Sequence, residues 1–200
     1  MISADKVRDL LDRTEDNIKL IEVINSDFAA PTLNEWRYLA RHASMALCAE
    51  SAESREQNVA EVYDHLKRAY FDSCDVAVDC YLEAMRKKTR PFRGWTEVVC
   101  KASPRYSEWI AVMRKAQDAH EKAQHIHGEG RVAAFNSLDP CLAELGAVYK
   151  ELNADEDGIA MAVRRAKADF LIEMAAKLGA LAVAFIAISK AIIWLFSLLH

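Results

Sequence analysis

Residues 178–199 read LGALAVAFIAISKAIIWLFSLL, and the reading of that stretch decides the fold. It holds 22 residues and a single charge, Lys190. An α-helix rises about 1.5 Å per residue, so the run would extend about 33 Å, enough to cross the hydrocarbon core of a bilayer. The competing reading is a central helix of a soluble bundle. Buried core helices are usually shorter and seldom stay apolar on every face for six turns. A signal peptide would be N-terminal, and the N-terminus here, MISADKVRDLLDRTED, is polar and amphipathic. The expectation is one C-terminal transmembrane helix, inserted into the lipid bilayer after the rest of the chain is made. Arg164, Arg165, Lys167 and Lys177 precede the run, and only His200 follows it. The positive-inside bias then puts residues 1–176 in the cytoplasm.

Lys190 sits near the middle of the span, where a lone lysine is unfavourable by about 2.5–3.5 kcal/mol on insertion scales. Two fates are open to it. The side chain snorkels to the outer interface, or it faces other copies of the helix or a water-filled path. Ala176, Ala180, Ala184, Ala187 and Ala191 recur at spacings of four, four, three and four. Such a small-residue stripe lets spanning helices approach closely, although alanine is common in any apolar helix. Lys190 lies about 100° round from Ala191, at the edge of the stripe. The expected state is a homo-oligomer. Trp194, in the outer part of the run, suits an interfacial belt.

Outside the span the chain is charged and acidic. Removing Lys177 and Lys190 from the 26 Lys+Arg leaves 24 against 30 Asp+Glu, a net charge of −6. That argues against a large phosphate-binding surface, so no bulk nucleic-acid binding is expected. Cys48, Cys74, Cys80, Cys100 and Cys141 have no CxxC spacing and read as reduced, mostly buried thiols. Six Gly and four Pro leave few breakers, and neither strand alternation nor an internal repeat is present. The expected fold class is all-α. A bundle of long helices occupies 1–158, an amphipathic connecting helix 159–177, and the transmembrane helix 178–199.

The spacing predicts a first helix over 5–25, with Val7, Leu10, Leu11, Ile18, Ile21 and Ile24 as its apolar stripe and Thr14 in the gap. A capping box at Thr32–Glu35 opens a second helix that reaches about 50. A second such pattern, Ser54 with Gln57, opens a third that reaches 88 and is stopped by Pro91. A short segment at 95–102 follows. Ser103 and Pro104 restart a helix that reaches 127. A weaker helix covers 131–153, with a kink or restart at Asp139-Pro140, and 153–158 reads as an acidic turn. From 159 a helix could run into the membrane. Trp36, Trp95 and Trp109 are expected in the core.

Three constellations bear on chemistry. Arg37-x4-His42 and Arg114-x5-His120 each pair a group that can stabilise phosphate charge with one that can shuttle a proton. Positions five apart on a helix lie about 140° apart, so Arg37 and His42 share a face only if the helix ends there. On the third helix His65, Arg68, Asp72, Asp75 and Asp79 fall along one face. They make either a solvated stripe with an Arg68–Asp72 pair or a polar seam, buried between subunits or contacting a ligand. Of His120, His125 and His127 only the first and last share a face, about 10 Å apart, and no carboxylate completes a shell. No metal and no cofactor is therefore expected. No P-loop, GxGxxG, GxSxG, HExxH or CxxC pair is present.

Arg-x4–6-His is the signature of the HEPN family, all-α ribonucleases that dimerise and pair two such motifs. The run HLKRAYFDSCD at 65–75 is similar to helices in small HEPN-like bundles encoded beside bacterial antiviral systems. A small polar residue often follows the arginine in that family, whereas Tyr38 and Lys115 stand here. The resemblance implies a role in bacterial antiviral defence at the inner membrane, like that of the membrane accessory proteins of RNA-targeting CRISPR systems, with a protein or RNA as trigger. The expected activity is that of a non-enzymatic effector that oligomerises and permeabilises the membrane. The alternatives are a membrane-tethered, metal-independent ribonuclease that uses Arg37 and His42, or Arg114 and His120, and a plain tail-anchored adaptor.

Overall fold

The structure is a computed structural model. It describes the backbone at residues 4–25, 30–128 and 130–198, and the side chains at 5–24, 30–128 and 130–190. The described residues are helical apart from short connections, with no strand among them. The elements are α1 (Ala4–Asn25), α2 (Ala30–Leu47), α3 (Ala52–Thr89), a 3-10 turn (Arg90–Phe92), α4 (Thr96–Ala102), α5 (Tyr106–Gln124), α6 (Gly130–Asn136) and α7 (Asp139–Leu198). They divide into two compact units. The first holds Met1–Pro91 and Arg105–Ala154, the second Phe92–Pro104 and Asp155–His200.

The first unit is built round α3. Leu66, Ala69, Tyr70, Cys74, Ala77, Val78, Tyr81, Leu82 and Met85 follow helical spacing and are buried. Phe71, Ser73 and Cys80 are buried as well, so burial spreads beyond one stripe, as a central helix requires. Helices α1, α2, α5 and α6 all pack on it. Leu10 of α1, Tyr70 and Phe71 of α3, Ala123 of α5 and Phe135 of α6 meet in one cluster. The Phe71 and Phe135 rings lie 4.7 Å apart, tilted by 44°.

Several polar groups inside this core are paired, which offsets their desolvation. Arg13 donates to the Tyr70 hydroxyl and to Asp139. The same hydroxyl faces Asp139 Oδ1 at 3.1 Å and the Phe135 carbonyl at 3.2 Å. Thr14, the gap in the α1 stripe, is fully buried and donates back to the Leu10 carbonyl at 2.6 Å.

Several helix starts differ from expectation, because tertiary packing claims the residues expected to cap them. The Thr32–Glu35 capping box does not form. Helix α2 begins at Ala30, Thr32 Oγ1 is buried with no partner among the described residues, and Glu35 turns to α3. Ser51, not Ser54, caps α3, accepting from the Ser54 N–H at 3.1 Å. Helix α5 starts only at Tyr106, since the Ser103 hydroxyl donates to Asp155 at 2.8 Å. The acidic turn expected at 153–158 is helical, and α7 runs through it. A lone Gly158 costs a helix only about 1 kcal/mol, and buried Leu152 and Ile159 lie on either side of it.

In the second unit Val99, Ile159 and Val163 are buried. Trp95 is half-buried and stands edge-on to Phe170 at 6.4 Å, with the Lys167 ammonium 6.0 Å from its ring. Beyond that contact the described side chains of α7 are bare. Leu171, Ile172, Leu178, Leu181, Val183, Phe185, Ile186 and Ile188 are 54–72% exposed. An 18-residue window in the stretch Gly130–Lys190 makes this helix long and apolar enough to cross a membrane, and none of that window is buried.

Candidate functional site

The densest group of chemically able side chains lies where α2 packs along α3. Glu35, Tyr38 and His42 recur at three and four residues on α2, and Asn58, Glu61, His65, Arg68 and Asp72 do so on α3. Glu35 meets His65 and Arg68, while His42 meets Asn58, the order of an antiparallel hairpin.

The His65 ring lies between Tyr38 and His42, with centroids 5.3 Å away on each side and planes tilted by 18° and 21°. Its Nδ1 is 2.7 Å from Glu35 Oε2. A carboxylate only accepts, so towards Glu35 that nitrogen donates, while Arg68 Nη2, itself only a donor, lies 3.0 Å from the same nitrogen. Arg68 Nε donates to the same oxygen at 3.1 Å. The side chains of His65 and Glu35 are only 12% and 19% exposed, so these bonds sit in a low dielectric that strengthens them.

His42 is fixed in the same way. Its Nδ1 lies 3.1 Å from Asn58 Oδ1, and the Asn58 amide donates to the Ser54 carbonyl at 2.8 Å. That second bond orients the amide with its oxygen towards His42, which makes Nδ1 the donor here too. In the tautomer that donates to Glu35 and to Asn58, both imidazoles leave Nε2 as an acceptor. Glu61, one turn before His65, completes the group. One ligand atom each from His42, Glu61 and His65 lie within 4.8 Å of one another.

The residues singled out from the sequence fall in different places. Of the seam residues, Arg68 pairs with Glu35 rather than with Asp72. Burial, then the carboxylates of Glu35 and Asp75, holds the half-buried Asp72 carboxyl above its usual range, only partly offset by Arg131 and Arg68. Arg37 is exposed and lies over the Tyr38 ring at 5.4 Å, while His42 turns to Asn58. Arg114 is exposed and lines an open surface cavity with Lys115, Asp118 and Lys122. His120, 5% exposed, points instead into the contact of α5 with α3, with Nε2 2.7 Å from Asp75 and Nδ1 3.7 Å from Asp79. Ala180, Ala184, Ala187 and Lys190 are exposed on α7, and the side chains of Ala191 and Trp194 lie outside the described residues.

From the sequence, Glu35 falls to a cap, and Asn58 and Glu61 are passed over. The four-residue spacing of Glu61 and His65, which puts both on one helix face, was the local signal available. No protein-family model matches the chain, and neither a curated protein nor a solved structure matches it.

Proposed function

We propose that this chain is a tail-anchored membrane protein whose helical part lies in the cytoplasm and whose spanning helices assemble and permeabilise the bilayer. The observation that carries the reading is the bare apolar surface of α7. Leaving Leu178, Leu181, Val183, Phe185, Ile186 and Ile188 in water costs on the order of 10 kcal/mol, a cost that bilayer hydrocarbon removes. The helix satisfies its own backbone groups, as a lipid-exposed segment must. The Ser189 hydroxyl also returns to the Phe185 carbonyl, at 2.8 Å. Lys190 is then the one charged group in the described part of the span. The stripe of Ala180, Ala184 and Ala187 supports close approach between copies, with Lys190 at its edge. Trp95, Lys167 and Phe170 gather aromatic and basic groups just before the apolar run, the chemistry of an interfacial anchor. The basic residues on that same side support the cytoplasmic orientation. The setting in bacterial antiviral defence, and a protein or RNA trigger, rest on the HEPN-like resemblance at 65–75.

The test is membrane potential in bacterial cells that express the full chain, a chain ending at Ala176, or the Lys190→Ala variant, with the natural trigger supplied. Depolarisation by the full chain alone is the expected result. Depolarisation that survives loss of the tail would reject the span as the active part. A membrane-bound full chain that never depolarises would leave an adaptor.

A further inference from the structure

We infer that His42, Glu61 and His65 form a binding site for a zinc-class divalent transition-metal ion, which staples α2 to α3. The argument starts from donors and acceptors. In the tautomer in which Nδ1 of His42 donates to Asn58 and Nδ1 of His65 donates to Glu35, which at 2.7 Å is nearer than Arg68 Nη2 at 3.0 Å, each ring presents Nε2 as a lone pair. The Glu61 carboxylate is an acceptor as well. One ligand atom from each of His42, Glu61 and His65 lies within 4.8 Å of the other two. A proton can join only two of them, whereas a cation meets all three.

The surroundings are those of a metal site. Metal-binding histidines hold their other ring nitrogen in a hydrogen bond to a carboxylate or carbonyl, which fixes tautomer and orientation. His65 does so through Glu35, itself held by Arg68, and His42 does so through Asn58, itself held by the Ser54 carbonyl. Two imidazoles and one carboxylate suit zinc and its neighbours in the first transition row, not magnesium or calcium, which take oxygen sets. Zinc bonds of about 2.0–2.2 Å put tetrahedral ligand atoms about 3.3 Å apart, so the three side chains draw together by at most about 1.5 Å. The stacked rings then turn until their Nε2 lone pairs converge. Three protein ligands leave the fourth position to water.

The experiment uses the full chain in detergent micelles, stripped with a chelator and titrated with Zn2+ and with Co2+. Saturable binding of one ion per chain is expected, with the visible bands of tetrahedral cobalt and no thiolate charge-transfer band. Glu61→Gln and His65→Gln should each weaken binding by about 100-fold, and Asn58→Ala by about ten-fold. A His125→Asn, His127→Asn double variant, altered at exposed histidines beyond α5, should bind as the parent does. Should His65→Gln lose its helical circular dichroism, Glu61→Gln decides, since it keeps shape and removes only the charge. Lack of saturable binding by the parent, or equal affinity in Glu61→Gln, would overturn the site. A thiolate spectrum would move the ion to the cysteines and overturn it equally.

Discussion

His120 is buried against a carboxylate that favours its charged form. Burial opposes the imidazolium, but the hydrogen bond and charge of Asp75, with Asp79 and Glu121 behind it, outweigh burial and raise its pKa. The unfolded value is about 6.5. A raised folded value means that the stabilisation is complete below that pH and is lost as pH rises through the folded value. Thermal stability of the full chain in micelles should therefore decline from about pH 6.5 upwards, and His120→Gln should flatten that decline while lowering stability at pH 6. An unchanged slope in the variant would exclude this pair as its source. The sequence shows His120 as the end of an Arg–His spacing, but its partner lies 45 residues away on another helix. Periodicity along one helix cannot report that. Burial likewise separates the thiols. The Cys74 thiol is pushed up to about 12, chiefly by desolvation, while Cys48 is exposed.

At the scale of the element, two glycines in α7 make opposite cases. A Cβ on Gly146 would sit 2.8 Å from the Tyr81 hydroxyl. Tyr81 is buried and held edge-on to Tyr149 at 5.8 Å, so its rigid ring cannot yield. Around Gly158 nothing lies within 4 Å. Replacing glycine by alanine within a helix gains about 1 kcal/mol, while overpacking a core costs about 1–3 kcal/mol. Gly146→Ala should thus lower stability by about 1 kcal/mol and Gly158→Ala raise it by up to about 1 kcal/mol, read as opposite shifts in chemical denaturation midpoint. Equal shifts would mean that the Tyr81 contact is absent. The helices themselves were legible, because long apolar periodicity has one low-energy solution. Their ends were less so. Thr32 and Ser103 look like caps, yet Thr32 is fully buried and Ser103 reaches Asp155. A cap is worth about 1 kcal/mol, so tertiary packing readily outbids it.

For the molecule as a whole, the apolar span is a property of one segment, and the sequence carries it complete. The α2–α3 seam is a property of two, and only the Glu61–His65 half of it lies within one helix. The Arg13–Tyr70–Asp139 hub is more dispersed still, with sequence separations of 57 and 126 residues from Arg13 to its two partners. Loop-closure entropy grows with separation, so the expected order of contact formation follows it. Helices α1 and α3 can meet by closing a short stretch of chain, but the hub waits until the start of α7 has been brought back. Contacts made that late are absent from the folding transition state and act on escape from the native state. Asp139→Asn should therefore speed unfolding about five-fold in denaturant-jump experiments and leave the refolding rate nearly unchanged. Slower refolding would mean that α7 docks early. On that expectation the lifetime of the folded helical core is set where Asp139 latches onto Arg13 and Tyr70.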